Sequence, residues 1–163
     1  DSGDSIPDAD IATIVGGVSS AVGDIFDIFL NQGEDDSTSD NVFAAAHNVI
    51  GIVEDATGYG RVIRNPQGNL DRIVEHKDAN IVELCVNEMN AGIYVFDCKT
   101  LFKLLPQVGN NNAQREYYLP DVLALILEQG GKVAIEKTNN ITEIQGVNTV
   151  QQLEDLDAEF QKI

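Results

Sequence analysis

The sequence predicts an α/β protein in which helices flank a mixed β-sheet, in a three-layer-like arrangement. Between residues 42 and 163, short apolar segments typical of strands alternate with longer segments of helical periodicity. Residues 31–41 are polar and acidic and contain no large apolar side chain, which is typical of an exposed linker. We therefore predict an acidic leader, an amphipathic helix and a linker in residues 1–41, and a partial α/β domain in residues 42–163.

The leader contains one segment with clear helical periodicity. From Ile11 to Leu30, apolar residues recur at steps of three and four, so they fall on one face of a helix. Three glycines within this segment weaken it as an isolated helix, by about 1 kcal/mol each relative to Ala. We therefore expect the helix to pack against another element, either in its own chain or in a second copy of the protein.

The first half of the domain is expected to contain one exposed hairpin. Its elements are predicted, in order, as a short helix at Val42–His47, a strand at Asn48–Glu54, two hairpin strands at Arg61–Arg64 and Asp71–Glu75, and a helix at Ala79–Glu88. The hairpin is indicated by Pro66 and Gly68, which suit a turn between two short strands.

The second half of the domain alternates strands and helices. We predict a strand at Ala91–Phe96, a helix at Lys99–Val108 broken near Pro106, a helix at Leu119–Gln129, a strand at Lys132–Lys137 and a final helix at Thr149–Lys162. The pair Gly130 and Gly131 is a typical stop signal for the helix before it. In the final helix, Val150, Leu153, Leu156 and Phe160 share a face and are expected to point inward.

Charge and composition exclude several classes of protein. The chain carries 27 acidic and 10 basic residues, for a formal charge of -17, which repels nucleic acid and anionic membrane surfaces. We therefore expect no nucleic-acid partner. No apolar segment is long enough to predict a membrane-spanning helix. Cys85 and Cys98 lack the spacing of a metal or redox motif, so they are expected to be buried free thiols.

Four short motifs occur in a fixed order along the domain. They are Gly58-Tyr59-Gly60-Arg61, Ile73-Val74-Glu75-His76-Lys77-Asp78, Asn90-Ala91-Gly92-Ile93-Tyr94 and Gly146-Val147-Asn148. Together they resemble the uridylyltransferase domain of the bacterial bifunctional enzyme that makes UDP-N-acetylglucosamine, among the sugar-nucleotide pyrophosphorylases. The resemblance runs from about Val49 to Phe160 and covers the sugar-binding half of that domain, which implies a partial nucleotide-diphospho-sugar transferase fold.

Two features of that family are not found in the sequence. One is the glycine-rich loop with an Arg and a downstream Lys that holds the triphosphate. The other is the hexapeptide repeat of the acetyltransferase half. We therefore expect a chain that retains a sugar-phosphate subsite but does not catalyse nucleotidyl transfer alone.

The resemblance implies particular roles for the motif residues. In the family, a sugar 1-phosphate attacks the α-phosphorus of UTP, which depends on positioning and on charge neutralisation by Mg²⁺. The implied ligands of the sugar phosphate or UDP-sugar are Tyr59, Gly60, Glu75, Asn90 and Asn148. The implied ligands of Mg²⁺ are Asn148 and, from a Gly3-Asp4-Ser5-Ile6-Pro7 segment, Asp4. A carboxylate accepts hydrogen bonds from sugar hydroxyls, whereas an amide both donates and accepts.

Each motif also has a purely structural interpretation. Gly58-Tyr59-Gly60 fits a tight turn, Asn148 fits a helix cap, and Asp4 fits an acidic leader. Three residues depart from the family pattern: Ala91 replaces a Thr, Arg115 replaces a Gly, and Pro120 replaces a Thr. The exchange at Arg115 is expected to affect a loop conformation that a Gly allows.

Two functions follow as alternatives. The first is a cytoplasmic relative or fragment of a UTP:N-acetylglucosamine-1-phosphate uridylyltransferase that binds a sugar phosphate or UDP-sugar with Mg²⁺. The second is a non-catalytic scaffold or homo-oligomer that assembles through the Ile11 to Leu30 helix, with the change of composition near Asn41 fitting an artificial or recombined chain.

Overall fold

A computed structural model describes residues 44–162. The five strands in this part of the chain are β1 (Ala46–Ile52), β2 (Arg61–Arg64), β3 (Leu70–Val74), β4 (Glu88–Phe96) and β5 (Val133–Lys137). The α-helices described there are α1 (Cys98–Leu104), α2 (Asp121–Glu128) and α3 (Val150–Phe160). The predicted leader helix and the candidate metal ligand Asp4 lie outside the described residues.

The strands form one mixed sheet in the order β3-β2-β4-β1-β5. Strand β4 lies in the middle, and β1 lies beside it, antiparallel to β4 and parallel to the edge strand β5. The β2–β3 hairpin is antiparallel and joins the sheet through the pairing of Arg61 with Met89 at the start of β4. The predicted α/β class with a mixed sheet is therefore confirmed, as is the predicted hairpin.

Both faces of the sheet are covered by apolar side chains. On one face, Ala46 and Ile50 of β1 pack with residues of α1 and α2, among them Leu104, Leu123 and Ile126. On the other face, a smaller cluster contains Val49, Ala56, Met89 and Ile144. Because side chains alternate along a strand, β1 contributes to both clusters, which explains why nearly all of it is buried. Among the described residues, no helix is long and apolar enough to cross a bilayer.

Two predicted helices are replaced by other structure. Ala46 and His47 belong to β1, where they pair with β4 on one side and with β5 on the other. Pairing on both sides outweighs the helix propensity of the Ala run, so the prediction of a helix over Val42–His47 was wrong for these two residues. The predicted helix at Ala79–Glu88 is also wrong, because that segment forms only a short 3₁₀ turn at Glu83–Cys85.

Local hydrogen bonds hold the short turn that stands in place of the predicted helix. The side chain of Asn80 accepts the backbone N–H groups of Val82 and Glu83, at 3.0 and 2.9 Å. Glu83 in turn accepts the N–H of Asn80 and pairs with Arg72 of β3. The reciprocal bonds between Asn80 and Glu83 have the pattern of a capping box, and here they hold a single turn before β4 begins at Glu88.

Two predictions of burial were wrong. In α3, Val150, Leu153 and Phe160 are exposed, and Leu156 alone of the four predicted residues is partly buried. Periodicity identified one apolar face correctly, but little of the described chain packs against that face. Cys85 and Cys98 are also exposed, because one lies in the 3₁₀ turn and the other is the first residue of α1.

Candidate functional site

Three predicted site residues meet at one end of the β2–β3 hairpin. Gly60 directly precedes β2 and Glu75 directly follows β3, and the pairing of Arg61 with Val74 places these two ends side by side. Asn90 of β4 joins them, because its backbone N–H donates to the carbonyl oxygen of Gly60 at 2.8 Å. The antiparallel hairpin therefore brings together residues from three of the four motifs.

The Gly60 position has little room for a side chain. A Cβ atom there would lie 3.1 Å from Oε1 of Glu75, 3.3 Å from Cγ2 of Ile73 and 3.5 Å from Cβ of Asn90. The missing side chain lets the Glu75 carboxyl and Asn90 approach the backbone closely. A side chain at this position would therefore require Glu75 or Ile73 to shift by a few tenths of an ångström.

Glu75 lies in an environment that disfavours its charge. The side chain is half-buried, and burial is the main reason that the pKa of its carboxyl is raised. Asp78, Asp121 and Glu116 add like charge around it and raise this pKa further. The pKa of Asp121 is itself raised, by burial and then by Asp78. Donors such as hydroxyl groups, or a cation, would stabilise the ionised Glu75 carboxylate.

The side chain of Asn90 is held at both ends. Asn90 is 8% exposed, its Oδ1 accepts the backbone N–H of Gly92 at 3.2 Å, and its Nδ2 donates to the Tyr94 hydroxyl at 2.6 Å. An amide has two donor hydrogens and two acceptor lone pairs, so one of each remains for another group. Tyr94 was not predicted to belong to the site.

Tyr59 and the Gly146-Val147-Asn148 segment also meet. A Cβ atom on Gly146 would lie 4.0 Å from the ring of Tyr59, and both residues line a groove of about 560 Å³ beside α3. Asn148 is exposed, and its backbone N–H donates to Oε1 of Gln152 at 2.8 Å, within a capping box formed by Thr149 and Gln152. The cap uses the backbone of Asn148, whereas its side-chain amide takes no part in it.

The chain resembles parts of known proteins in sequence. It is 56% identical over 97 residues to the bifunctional protein GlmU of Exiguobacterium sp., a match of 60% of the chain and 22% of that relative. It is 56% identical over 91 residues to GlmU of Staphylococcus carnosus, a match of 56% of the chain and 20% of that relative. This part of the chain is similar in sequence to part of GlmU. The resemblance inferred from the four motifs is therefore confirmed.

The matched segments correspond to about a fifth of the length of these GlmU proteins. A solved structure from Bacillus anthracis, assigned as a glucose-1-phosphate thymidylyltransferase, matches with a TM-score of 0.58 and 16% sequence identity. The match covers 100% of this chain and 63% of that structure's chain. At that identity the likeness shows a shared nucleotidyltransferase-like fold alone. No family model matches the chain.

Arg61 is a structural residue of the candidate site, and the sequence alone predicted no role for it. It is 2% exposed and donates to the backbone carbonyls of Tyr59 and Val86, the latter at 3.1 Å. Its guanidinium also lies 3.3 Å from Nδ1 of His76. Because Arg can only donate, Nδ1 of His76 must act as the acceptor in this contact. Arg61 therefore connects the turn before β2 to the loop after β3.

A loop at residues 109–120 lies against the segment that follows Glu75. The backbone N–H of Ala113 donates to Oδ1 of Asp78 at 2.7 Å, and Lys77 donates to Oε1 of Gln114 at 3.0 Å. Arg115 in this loop has φ 54, in the left-handed region that favours glycine. The family pattern has a Gly at this position. The loop thus has a backbone conformation that favours Gly, although an Arg occupies the position.

Arg115→Gly is expected to stabilise the protein by about 0.5–1 kcal/mol, because a non-glycine residue in the left-handed region is strained by about 1–2 kcal/mol and glycine recovers most of that. Urea unfolding followed by circular dichroism measures the change. Arg115→Ala is the matched control, since it removes the guanidinium but keeps the strain. A variant Arg115→Gly that is no more stable than Arg115→Ala would contradict the idea of strain at this position.

The described residues do not by themselves form a magnesium site. Among residues 44–162, no group of three or more His, Cys, Asp or Glu side chains is arranged to hold a metal ion. Asn148 offers a single exposed amide, and Asp4 lies outside the described part. Mg²⁺ demands near-octahedral oxygen coordination, which one amide cannot provide. The chemistry proposed below therefore does not depend on a metal held by these residues.

A larger cavity, of about 760 Å³, lies elsewhere, between the hairpin turn, the end of α2 and the start of β5. Its lining includes Arg64, Arg72 and Lys132 but none of the predicted site residues. Arg64 is paired with Glu88, and Arg72 with Asp71 and Glu83. The charges on these two arginines are thus largely neutralised within the protein, and the cavity does not form part of the candidate site.

Proposed function

We propose that the described residues bind the sugar of a sugar phosphate or UDP-sugar, with N-acetylglucosamine 1-phosphate or UDP-N-acetylglucosamine as the ligand. The convergence of Gly60, Glu75 and Asn90 carries this proposal. The Glu75 carboxylate and the partly bonded Asn90 amide offer acceptors and a donor to the hydroxyl groups of a sugar. The relation to GlmU supports the choice of an aminosugar ligand.

In this proposal, the phosphate end of the ligand lies toward Asn148. The ring of Tyr59 lies against Gly146 and its backbone continues directly into Gly60, so it connects the sugar-binding residues to the Asn148 segment. Nucleotidyl transfer would require a triphosphate-binding element, which the sequence does not show. Binding without turnover is therefore the expected activity of this chain.

Titration of UDP-N-acetylglucosamine into the protein tests the proposal, by calorimetry and by NMR, with Mg²⁺ and with EDTA. We expect binding by the natural sequence and about tenfold weaker binding by Asn90→Ala, since hydrogen bonds to the sugar are lost and their partners in the site stay unpaired. The matched control is Asn139→Ala, an exposed residue after β5 that should bind normally.

Absence of binding by the natural sequence in both conditions would refute the proposed function. Equal affinity of Asn90→Ala and the natural sequence would show that the ligand binds elsewhere. The comparison of Mg²⁺ with EDTA reports separately whether a divalent cation assists binding of the phosphate.

A further inference from the structure

Strand β4 contains an irregularity that brings two distant side chains together. Its partner β1 pairs Ile50 with Asn90 and Asn48 with Tyr94, so a step of two residues along β1 matches a step of four residues along β4. Gly92 lies inside this bulge with φ 73. In a regular strand, residues four apart would be separated by about 13 Å. The bulge shortens that distance and lets the Tyr94 hydroxyl reach Nδ2 of Asn90 at 2.6 Å.

The orientation of the Asn90 amide follows from its partners. The backbone N–H of Gly92 can only donate, so it must face Oδ1 of Asn90, at 3.2 Å. Nδ2 therefore faces Tyr94 and donates to its hydroxyl oxygen, which leaves the hydroxyl hydrogen of Tyr94 for another acceptor. Glu75 is close enough to affect Tyr94 electrostatically. The N–H of Gly92 thus selects one of the two amide orientations, and the Tyr94 hydroxyl accepts from the amide in that orientation.

We propose that Tyr94 is a positioning residue: it holds the Asn90 amide in the orientation that the Gly92 N–H selects, so that the remaining N–H and lone pair of the amide are presented to a sugar. The effect on ligand binding rests on the proposed function, whereas the effect on the amide does not. A side chain fixed before binding loses less conformational freedom when the ligand arrives. Burial raises the pKa of Tyr94 to about 12, so its hydroxyl stays neutral under ordinary conditions.

The ligand-free test uses the side-chain amide signals of Asn90 in ¹⁵N-labelled protein, assigned by their loss in Asn90→Ala. We expect Tyr94→Phe to shift the two amide hydrogens and to speed their exchange with water, because one of them loses its acceptor. The ring is kept in this variant, so packing against Phe96, at 5.7 Å between centroids, is preserved. Tyr117→Phe is the control, since Tyr117 is 71% exposed. Unchanged Asn90 signals in Tyr94→Phe would overturn the proposal.

The ligand test is a double-mutant cycle with UDP-N-acetylglucosamine. Tyr94→Phe should weaken binding about threefold to tenfold, the size expected for one neutral hydrogen bond. In an Asn90→Ala background the same change should have no further effect, since the group it positions is gone. Shifted Asn90 signals with unchanged affinity in Tyr94→Phe would overturn the positioning role in binding. If the Asn90 signals shift in Tyr94→Phe but the natural protein binds no UDP-N-acetylglucosamine, the fixed amide is upheld and the proposed function is refuted.

Discussion

Glu75→Gln is expected to have opposite effects on binding and on stability. Affinity for UDP-N-acetylglucosamine should fall about tenfold to a hundredfold, because hydrogen bonds from hydroxyls to a charged acceptor are each worth about 1.5–3 kcal/mol. The ligand-free protein should become more stable at neutral pH. Gln has nearly the same shape as Glu, so the change removes the charge and leaves the packing beside Gly60 largely intact.

The gain in stability follows from the raised pKa of Glu75. Burial, together with Asp78, Asp121 and Glu116, makes the folded protein hold the Glu75 proton more tightly than the unfolded chain does. Above the raised pKa the carboxyl is ionised in both states, and its charge then opposes folding. As the pH falls through that pKa, the natural protein regains the lost stability. The advantage of Glu75→Gln should therefore be largest at neutral pH and disappear below the ordinary Glu pKa of 4.5.

Urea unfolding at a series of pH values, with a parallel ligand titration, measures both effects. Glu154→Gln on α3 is the control, because Glu154 is exposed and its replacement should change neither quantity appreciably. Lower stability of Glu75→Gln at neutral pH would show that the carboxylate is stabilised in the ligand-free protein. Unchanged ligand affinity would remove Glu75 from the sugar subsite.

Sequence analysis chose the candidate site residues by their resemblance to family motifs, and two of them, Gly60 and Glu75, lie at the ends of a predicted hairpin. Alternating apolar residues on both sides of a Pro and Gly turn predict a hairpin, and a hairpin necessarily places Gly60 beside Glu75. The position of Asn90 followed from the resemblance to the GlmU motifs. Contacts set by hairpin pairing or by motif order can thus be predicted from the sequence.

Contacts that depend on an irregular backbone or on segments distant in sequence could not be predicted from the sequence. Tyr94 reaches Asn90 because β4 bulges at Gly92, and residue spacing alone would place the two side chains far apart. Asp121 and Glu116 affect the pKa of Glu75 from a different part of the chain. Periodicity found the apolar face of α3 but carried no information about which segment, if any, covers it.

Asn48→Val is expected to raise the free energy of unfolding by about 1–3 kcal/mol, the usual cost of a buried polar group without a partner. Asn48 is 0% exposed in the middle of β1, paired with Tyr94 on one side and Ile135 on the other. Its Oδ1 and Nδ2 have no hydrogen-bond partner among residues 44–162. A β-branched side chain also suits a central strand.

Chemical denaturation of Asn48→Val, compared with the natural sequence, measures this gain. Asn139→Val serves as the control, because Asn139 is exposed and the same exchange there should change stability by less than about 0.5 kcal/mol. Asn48→Asp tests the same point from the other side: it puts a charge at an unpartnered, buried position and should strongly destabilise the protein. If Asn48→Val were instead less stable by 1 kcal/mol or more, the amide must be hydrogen-bonded in solution, and its partner must come from outside the described residues.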